Sequence, residues 1–211
     1  NIINYFFPYR DLCDQKWSEV LVQMLPEFIK AKNEEEYILT CLKLESKIDD
    51  SHGFFVTDNP VFRQKQGLLH PAFNVRFIEN KLIVRNFIGE GTYPKENIEI
   101  GDIITDINGE AVDSLVKKML PYTPASNYAV KLRDIEPCIL RGNASVMEVT
   151  ILRDNKPLDL KILCYDLGQL DSIYKKAVPK KEAYQIINDN IGYVLSSECS
   201  ASNRDRGISK G

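Results

Sequence analysis

The motif with the clearest capacity for chemistry is Asp50-Ser51-His52-Gly53, which places a hydroxyl beside an imidazole. An imidazole titrates near neutral pH, so it can accept a proton and return it during a reaction. A structural interpretation stands beside this one, because a single histidine after a helix is often a surface residue or a cap. On the same grounds Asp50 is interpreted as a helix-end or loop residue, and His70, beside Pro71, as structural.

The other reactive side chains do not predict a metal site. The chain has five cysteines and two histidines, and no two cysteines form a Cys-x-x-Cys pair, so we expect neither zinc nor another metal. Cys41 and Cys138 lie in apolar stripes and are interpreted as buried free thiols. The net charge of −3, with only scattered basic pairs, argues against nucleic acid as a partner.

Features of export or membrane insertion are not visible in the chain. No apolar run approaches the roughly 18–20 residues that span a bilayer, so we expect no transmembrane segment. No basic and apolar leader precedes the first helix. The chain begins with Asn1 rather than Met, from which we expect a processed or trimmed chain.

Residues 1–55 are predicted to form a small helical unit. Apolar residues follow helical spacing from Trp17 to Phe28, and Pro26 is expected to break or kink that helix. Asn33 has the position of an N-cap for a second helix that ends near residues 49–50. The predicted buried stripe of the second helix is Tyr37, Cys41, Leu44 and Ile48.

Residues 68–166 are predicted to form an α+β module of antiparallel strands with two helices. Residues 51–67 are expected to be a loop that connects this module to the helical unit. The apolar pattern changes to a period of two at Val75, and turns at residues 79–81 and 154–157 predict a hairpin at each end of the module.

The centre of the module carries its most distinctive local pattern. Gly101-Asp102-Ile103-Ile104 opens a predicted strand, and Asn108-Gly109 after it suits a type I′ turn, which needs positive φ at both central positions. Asp113 and Ser126 are the predicted caps of the two helices. Residues 167–211 are interpreted as a linker followed by one new buried strand.

With its predicted segments in this order along the sequence, the chain resembles the family of C-terminal processing (tail-specific) peptidases and the tricorn core. The resemblance rests on Asp50-Ser51-His52-Gly53, on a PDZ-like module around Gly101-Asp102-Ile103-Ile104, and on Asn190-Ile191-Gly192-Tyr193-Val194. The last motif is similar to the first strand of an α/β catalytic core. The stretch from residue 124 to 142 looks like versions from gut Bacteroidales.

The resemblance implies a serine endopeptidase that cleaves polypeptide substrates through an acyl-enzyme, with no metal or cofactor. It implies that His52 is the general base and that Ser51 orients the imidazole or lines the site. It also implies that the PDZ-like module recruits substrate or controls access, and that the protein is periplasmic or exposed at the cell envelope.

The nucleophile is the part of this enzyme that the chain predicts least well. Only 17 residues follow Val194, too few for a βα core with an oxyanion hole, so we expect an N-terminal fragment or truncated form. Ser200, in the sequence Ser200-Ala201-Ser202, resembles a nucleophile motif and is the candidate. The alternative function is a peptide-binding or regulatory PDZ module without hydrolysis.

The candidate peptide-binding residues are Phe73, Val75 and Phe77, on a strand that could accept a peptide by strand addition. Core packing explains these side chains equally well. The loop before the strand contains Pro71, which has no amide to donate, and lacks a Gly-x-Gly sequence. We therefore do not expect it to capture a free C-terminal carboxylate.

Overall fold

The computed structural model describes residues 2–53, 57–89, 97–177, 184–187 and 191–194. Within them the chain is a mixed α+β protein whose main sheet is antiparallel, which confirms the α+β class. Among the described helices, none combines the length and the apolar character that crossing a bilayer requires.

The N-terminal part is helical, as predicted. Its α-helices are α1 (Ile2–Phe6), α2 (Trp17–Lys30), α3 (Glu34–Ser46) and α4 (Pro60–Gln66), with a short 3-10 helix at Arg10–Leu12. The sequence predicted a break or a kink at Pro26, and the break does not occur, because α2 continues through this residue. A proline inside a helix removes one hydrogen bond toward the preceding turn. The next turn still closes, since the Ala31 N–H donates to the Glu27 carbonyl at 3.2 Å.

Helix α3 begins at the predicted cap. The Asn33 side chain accepts the Glu36 backbone N–H at 2.9 Å. The helix ends at Ser46, and its buried residues are Ile38, Thr40 and Ser46. The predicted stripe is therefore wrong at Tyr37, which is 54% exposed. The buried face is rotated because α3 packs both on α2 and on the module that follows.

Helix α4 lies where the sequence analysis expected only loop. Asn59 caps it by accepting the Val61 N–H at 2.9 Å, and Pro60 occupies its first turn. Proline is favoured there because its missing N–H would have no helical partner. Gly67 ends the helix with φ of +91°.

Seven strands form the main sheet. They are β1 (His70–Pro71), β2 (Phe73–Ile78), β3 (Lys81–Phe87), β4 (Ile103–Ile107), β5 (Glu110–Ala111), β6 (Val146–Arg153) and β7 (Lys156–Tyr165). The order is β1-β7-β6-β4-β3-β2, every pairing is antiparallel, and β5 pairs with β4. Only Ala72 separates β1 from β2, yet these strands lie at opposite ends of the order, so the sheet nearly closes on itself.

The predicted turns are confirmed by their backbone angles. Glu79-Asn80, Asn108-Gly109 and Asp154-Asn155 all have positive φ at both residues. That conformation matches the twist of the strands that a two-residue turn connects. The alternation of apolar residues in β2, β6 and β7 therefore predicted the correct hairpins.

Helices α5 (Val112–Met119) and α6 (Tyr128–Ile139) complete the module. The predicted caps are wrong by one or two residues. Asp113 lies inside the first turn of α5, and Asn127, rather than Ser126, caps α6 by accepting the Val130 N–H at 3.0 Å. Both helices contribute side chains to the apolar core above the sheet.

The C-terminal part differs from the expected linker. Helix α7 (Leu167–Ala177) follows β7 directly, and β8 (Tyr184–Ile187) pairs with β9 (Ile191–Val194) in a separate hairpin. The strand at Ile191–Val194 is present. Its predicted burial is wrong, since Ile191 is 54% and Tyr193 40% exposed.

Candidate functional site

His52 lies in a tight turn a few residues after the end of α3 at Ser46. The Asp50 carboxylate accepts the His52 backbone N–H at 2.9 Å, and the same oxygen, Oδ1, lies 2.9 Å from His52 Nδ1. An aspartate that bonds the backbone two residues on is a common turn former. The pKa of the Asp50 carboxyl lies below its ordinary value because of these two bonds. The bond from the His52 backbone N–H has the larger effect, and the bond from the imidazole the smaller.

The pair has the relative arrangement of a general base and its orienting carboxylate. When Nδ1 carries its proton toward Asp50, Nε2 keeps a lone pair that can accept a proton. The His52 side chain is 94% exposed, so Nε2 is accessible from outside. An aspartate beside the imidazole also stabilises the imidazolium that forms when the base accepts a proton.

Asp50, rather than Ser51, contacts the imidazole. Ser51 is exposed, and within the described part of the chain its hydroxyl has no hydrogen bond to His52. The resemblance implied that Ser51 orients the imidazole or lines the site, and Asp50 was interpreted as a helix-end or loop residue. Ser51 does belong to the lining of the groove that contains His52. The missed signal is the two-residue spacing from Asp50 to His52, which lets one carboxylate bond both the backbone and the ring.

His52 contributes to the lining of a groove of about 390 Å³, which also includes Cys13, Ser51 and Ser126. Among the described residues, no hydroxyl or thiol is hydrogen-bonded to the His52 ring. The Cys13 thiol donates to the Ile48 carbonyl at 3.3 Å. Burial, followed by the nearby carboxylate charges, raises the pKa of this thiol, so it is protonated at neutral pH. Ser200, the predicted nucleophile, lies outside the described residues.

The three candidate peptide-binding residues lie on β2, an edge strand of the sheet against which α6 packs. The side chains of Phe73 and Val75 are buried, and that of Phe77 is partly buried against the same core. The outward backbone N–H of Phe77 donates to Glu136 Oε1 on α6 at 2.8 Å. Core packing thus accounts for these side chains, and a carboxylate occupies one amide of the strand edge.

The loop before β2 has few amides for a terminal carboxylate. The Leu69 N–H donates to the Gly142 carbonyl at 2.8 Å, and the Leu68 N–H to the Asn143 side chain at 3.2 Å. Pro71 contributes no N–H. His70 is half-buried with Nδ1 2.6 Å from the Pro71 carbonyl, and burial lowers its pKa.

The cysteines and the potential metal ligands are not clustered in the described part of the chain. Cys13, Cys41 and Cys138 are free thiols, and Cys41 and Cys138 are half-buried rather than buried. Within the same residues, no three His, Cys, Asp or Glu side chains are grouped so as to hold a metal ion.

Comparisons with known proteins give no match for this chain, neither among protein-family models nor among curated proteins. The residues themselves, above all the Asp50–His52 pair, therefore have to indicate the function.

Proposed function

We propose that this chain belongs to a serine endopeptidase similar to the C-terminal processing and tricorn peptidases. It would supply the general base, His52, and a PDZ-like module, residues 68–166. The observation that carries the proposal is the geometry of one pair, in which Asp50 orients the His52 ring and Nε2 stays accessible.

In the proposed reaction His52 acts twice. Nε2 takes the proton of a serine hydroxyl as that oxygen attacks the peptide carbonyl, and the imidazolium returns the proton to the departing amine. The acyl-enzyme is then hydrolysed by a water molecule, which His52 deprotonates in the same way. Asp50 stabilises the imidazolium in both steps.

The serine would come from outside the described residues and approach His52 on its exposed side. An imidazole that is oriented on one nitrogen and accessible on the other suits such an arrangement. The PDZ-like module would bind an extended stretch of substrate along the edge of β2, on the N-terminal side of the Phe77 amide that Glu136 occupies.

The alternative is a peptide-binding or regulatory module without hydrolysis. It is favoured by one observation, that no described hydroxyl or thiol is bonded to His52. The two functions differ in a direct way, because a hydrolase has a serine that reacts with a fluorophosphonate and a binding module does not.

The first prediction concerns the product of the whole reading frame that contains this chain. We expect His52→Ala to lower kcat/KM for cleavage of an unfolded protein by about 10²–10⁴-fold, the usual contribution of a general base. Asp50→Asn should lower it by at least about tenfold, since it removes the charge that stabilises the imidazolium. Turnover and fluorophosphonate labelling would be measured on the same samples.

Asp58→Asn is the matched control, because Asp58 is exposed and pairs with Arg63 away from His52. Its circular dichroism spectrum and turnover should equal those of the native protein. Unchanged turnover in His52→Ala would remove His52 from the mechanism. A native protein that binds peptides but takes up no fluorophosphonate would establish the alternative.

A further inference from the structure

A second cleft, of about 500 Å³, lies between the helical unit and the sheet module. Helices α3 and α4 form one wall, and α5, α6 and the turn between them form the other. Its lining is mainly apolar and includes Leu39, Leu42, Phe62, Met119, Ile135 and Ile139. Volumes of this order hold small ligands or a few side chains of a peptide.

Glu45, near the end of α3, is a half-buried carboxylate in this apolar lining. Its side chain makes no hydrogen bond or ion pair with the described residues, and burial raises the pKa of its carboxyl. Taking a carboxylate out of water without a partner is unfavourable. A cation in the cleft would supply the missing partner.

The other carboxylate and the lysine of the lining already have charged partners. Lys65 pairs with Glu35 at 2.7 Å, and Asp134 lies 2.9 Å from the Arg133 guanidinium. Arg141 Nε donates to the Pro137 carbonyl at 3.2 Å. Within the described part of the lining, Glu45 is therefore the carboxylate left for an incoming group, while Arg141 is hydrogen-bonded to a carbonyl without an ion-pair partner.

The cleft adjoins the turn that carries His52. Ser51 and Gly53 belong to its lining, and a Cβ atom on Gly53 would lie 3.6 Å from Glu45 Cγ. A molecule bound against Glu45 would thus contact the turn that orients the imidazole.

We infer that this cleft binds a polypeptide segment through an apolar side chain and a neighbouring lysine or arginine. The methylene stem of the basic side chain would lie on the apolar wall, while its charged head pairs with Glu45. That the ligand is a polypeptide rests on the proposed function. The preference for a cation rests on Glu45 and the cleft alone.

The test compares two blocked tripeptides, acetyl-Leu-Lys-Leu-amide and its norleucine analogue, which has a similar stem without the charge. We expect the lysine peptide to bind the native protein at least about fivefold more tightly, as one partly exposed ion pair provides about 1 kcal/mol. Glu45→Gln should abolish the preference. Glu148→Gln, at an exposed glutamate paired with Lys161, should retain it.

Cys138 provides a second measurement, because its half-buried thiol lines the same cleft. The lysine peptide should slow alkylation of Cys138 by iodoacetamide, mapped by mass spectrometry, and leave Cys13 unaffected. No binding at millimolar concentration, equal affinity for the two peptides, a preference that survives Glu45→Gln, or unprotected Cys138 would each overturn the inference.

These experiments can refute the binding cleft and the proposed hydrolytic function separately. The His52→Ala protein should bind the lysine peptide as the native protein does, because His52 is not part of the cleft lining. A peptidase with no lysine preference would refute the cleft and leave the proposed function standing.

Discussion

At the scale of single residues, the Gly-Asp pair that opens β4 is explained by one buried carboxylate. The Asp102 side chain is 2% exposed and receives two hydrogen bonds of 2.7 Å from the Arg153 guanidinium. Its Oδ2 also accepts the Glu99 backbone N–H at 2.7 Å. A bidentate pair of this kind connects the end of β6 to the loop before β4.

Removing this carboxylate should destabilise the fold. We expect Asp102→Ala to lower the free energy of unfolding by about 3 kcal/mol, because it leaves the guanidinium and a backbone N–H without their acceptor. Urea denaturation followed by circular dichroism measures the change. Glu99→Gln alters an exposed carboxylate on the same arginine and should change stability by about 0.5 kcal/mol or less. Equal effects of the two substitutions would contradict the assignment.

The candidate site was only partly predictable at this scale. His52 could be identified because histidine is rare in this chain and has chemistry of its own. Asp50, Glu45 and Glu136 were missed, since a carboxylate on or beside a helix looks like an ordinary surface residue in sequence. Their roles depend on what lies beside each of them in the fold. Asp50 lies beside the His52 ring, Glu45 lines the apolar cleft, and Glu136 binds the edge of β2.

At the scale of elements, the hairpins were predicted well from the sequence, while two of the shorter helices were not. The hairpins followed from alternating apolar residues and from turn residues that tolerate positive φ. Helix α4 was not predicted because Pro60 was taken as a loop residue rather than a first-turn proline. Helix α7 was not predicted although Leu170 and Ile173 have helical spacing and pack on the core. Helix α2 also continues through Pro26.

The end of α4 provides an element-scale prediction at Gly67. Its φ is +91°, and a Cβ atom there would lie 2.5 Å from the Gly142 backbone nitrogen. We expect Gly67→Ala to lower the free energy of unfolding by at least about 2 kcal/mol, through left-handed strain together with the clash. Gly101→Ala is the matched control, because Gly101 has φ of +99° but no atom within 4 Å of an added Cβ.

The control separates the two causes. Gly101→Ala should cost about 1 kcal/mol, the strain alone. If both variants lost the same stability in urea denaturation, the close approach of residues 67 and 142 would have no energetic role.

At the scale of the whole molecule, the helical unit is attached to the sheet module through α3. The buried Ser46 hydroxyl lies 2.7 Å from the Pro121 carbonyl, and Lys43 Nζ lies 5.9 Å from the centre of the Tyr122 ring. The His52 turn is separated from the end of α3 by only a few residues. Its position relative to the sheet module, and to the cleft beside Glu45, therefore depends on this contact.

The chain offers a probe for that contact, because Trp17, on α2, is its single tryptophan. In the native protein we expect the urea midpoints from Trp17 fluorescence and from far-UV circular dichroism to coincide, as they do when two parts unfold together. Ser46→Leu should overpack the contact by about 1–3 kcal/mol and move the fluorescence transition to lower urea than the circular dichroism transition.

Ser172→Leu is the control, since the exposed Ser172 hydroxyl bonds the Gly168 carbonyl within α7 and joins no other element. It should leave the two midpoints together. A Ser46→Leu protein whose two transitions shift by the same amount would show that the units remain one cooperative body without this contact. In that case the position of His52 would depend on α4 and on the pairing of residues 69 and 142 instead. Separate transitions would mean that the contact of α3 with Pro121 couples the unfolding of the helical unit to that of the sheet module. The position of the His52 turn would then depend on this contact.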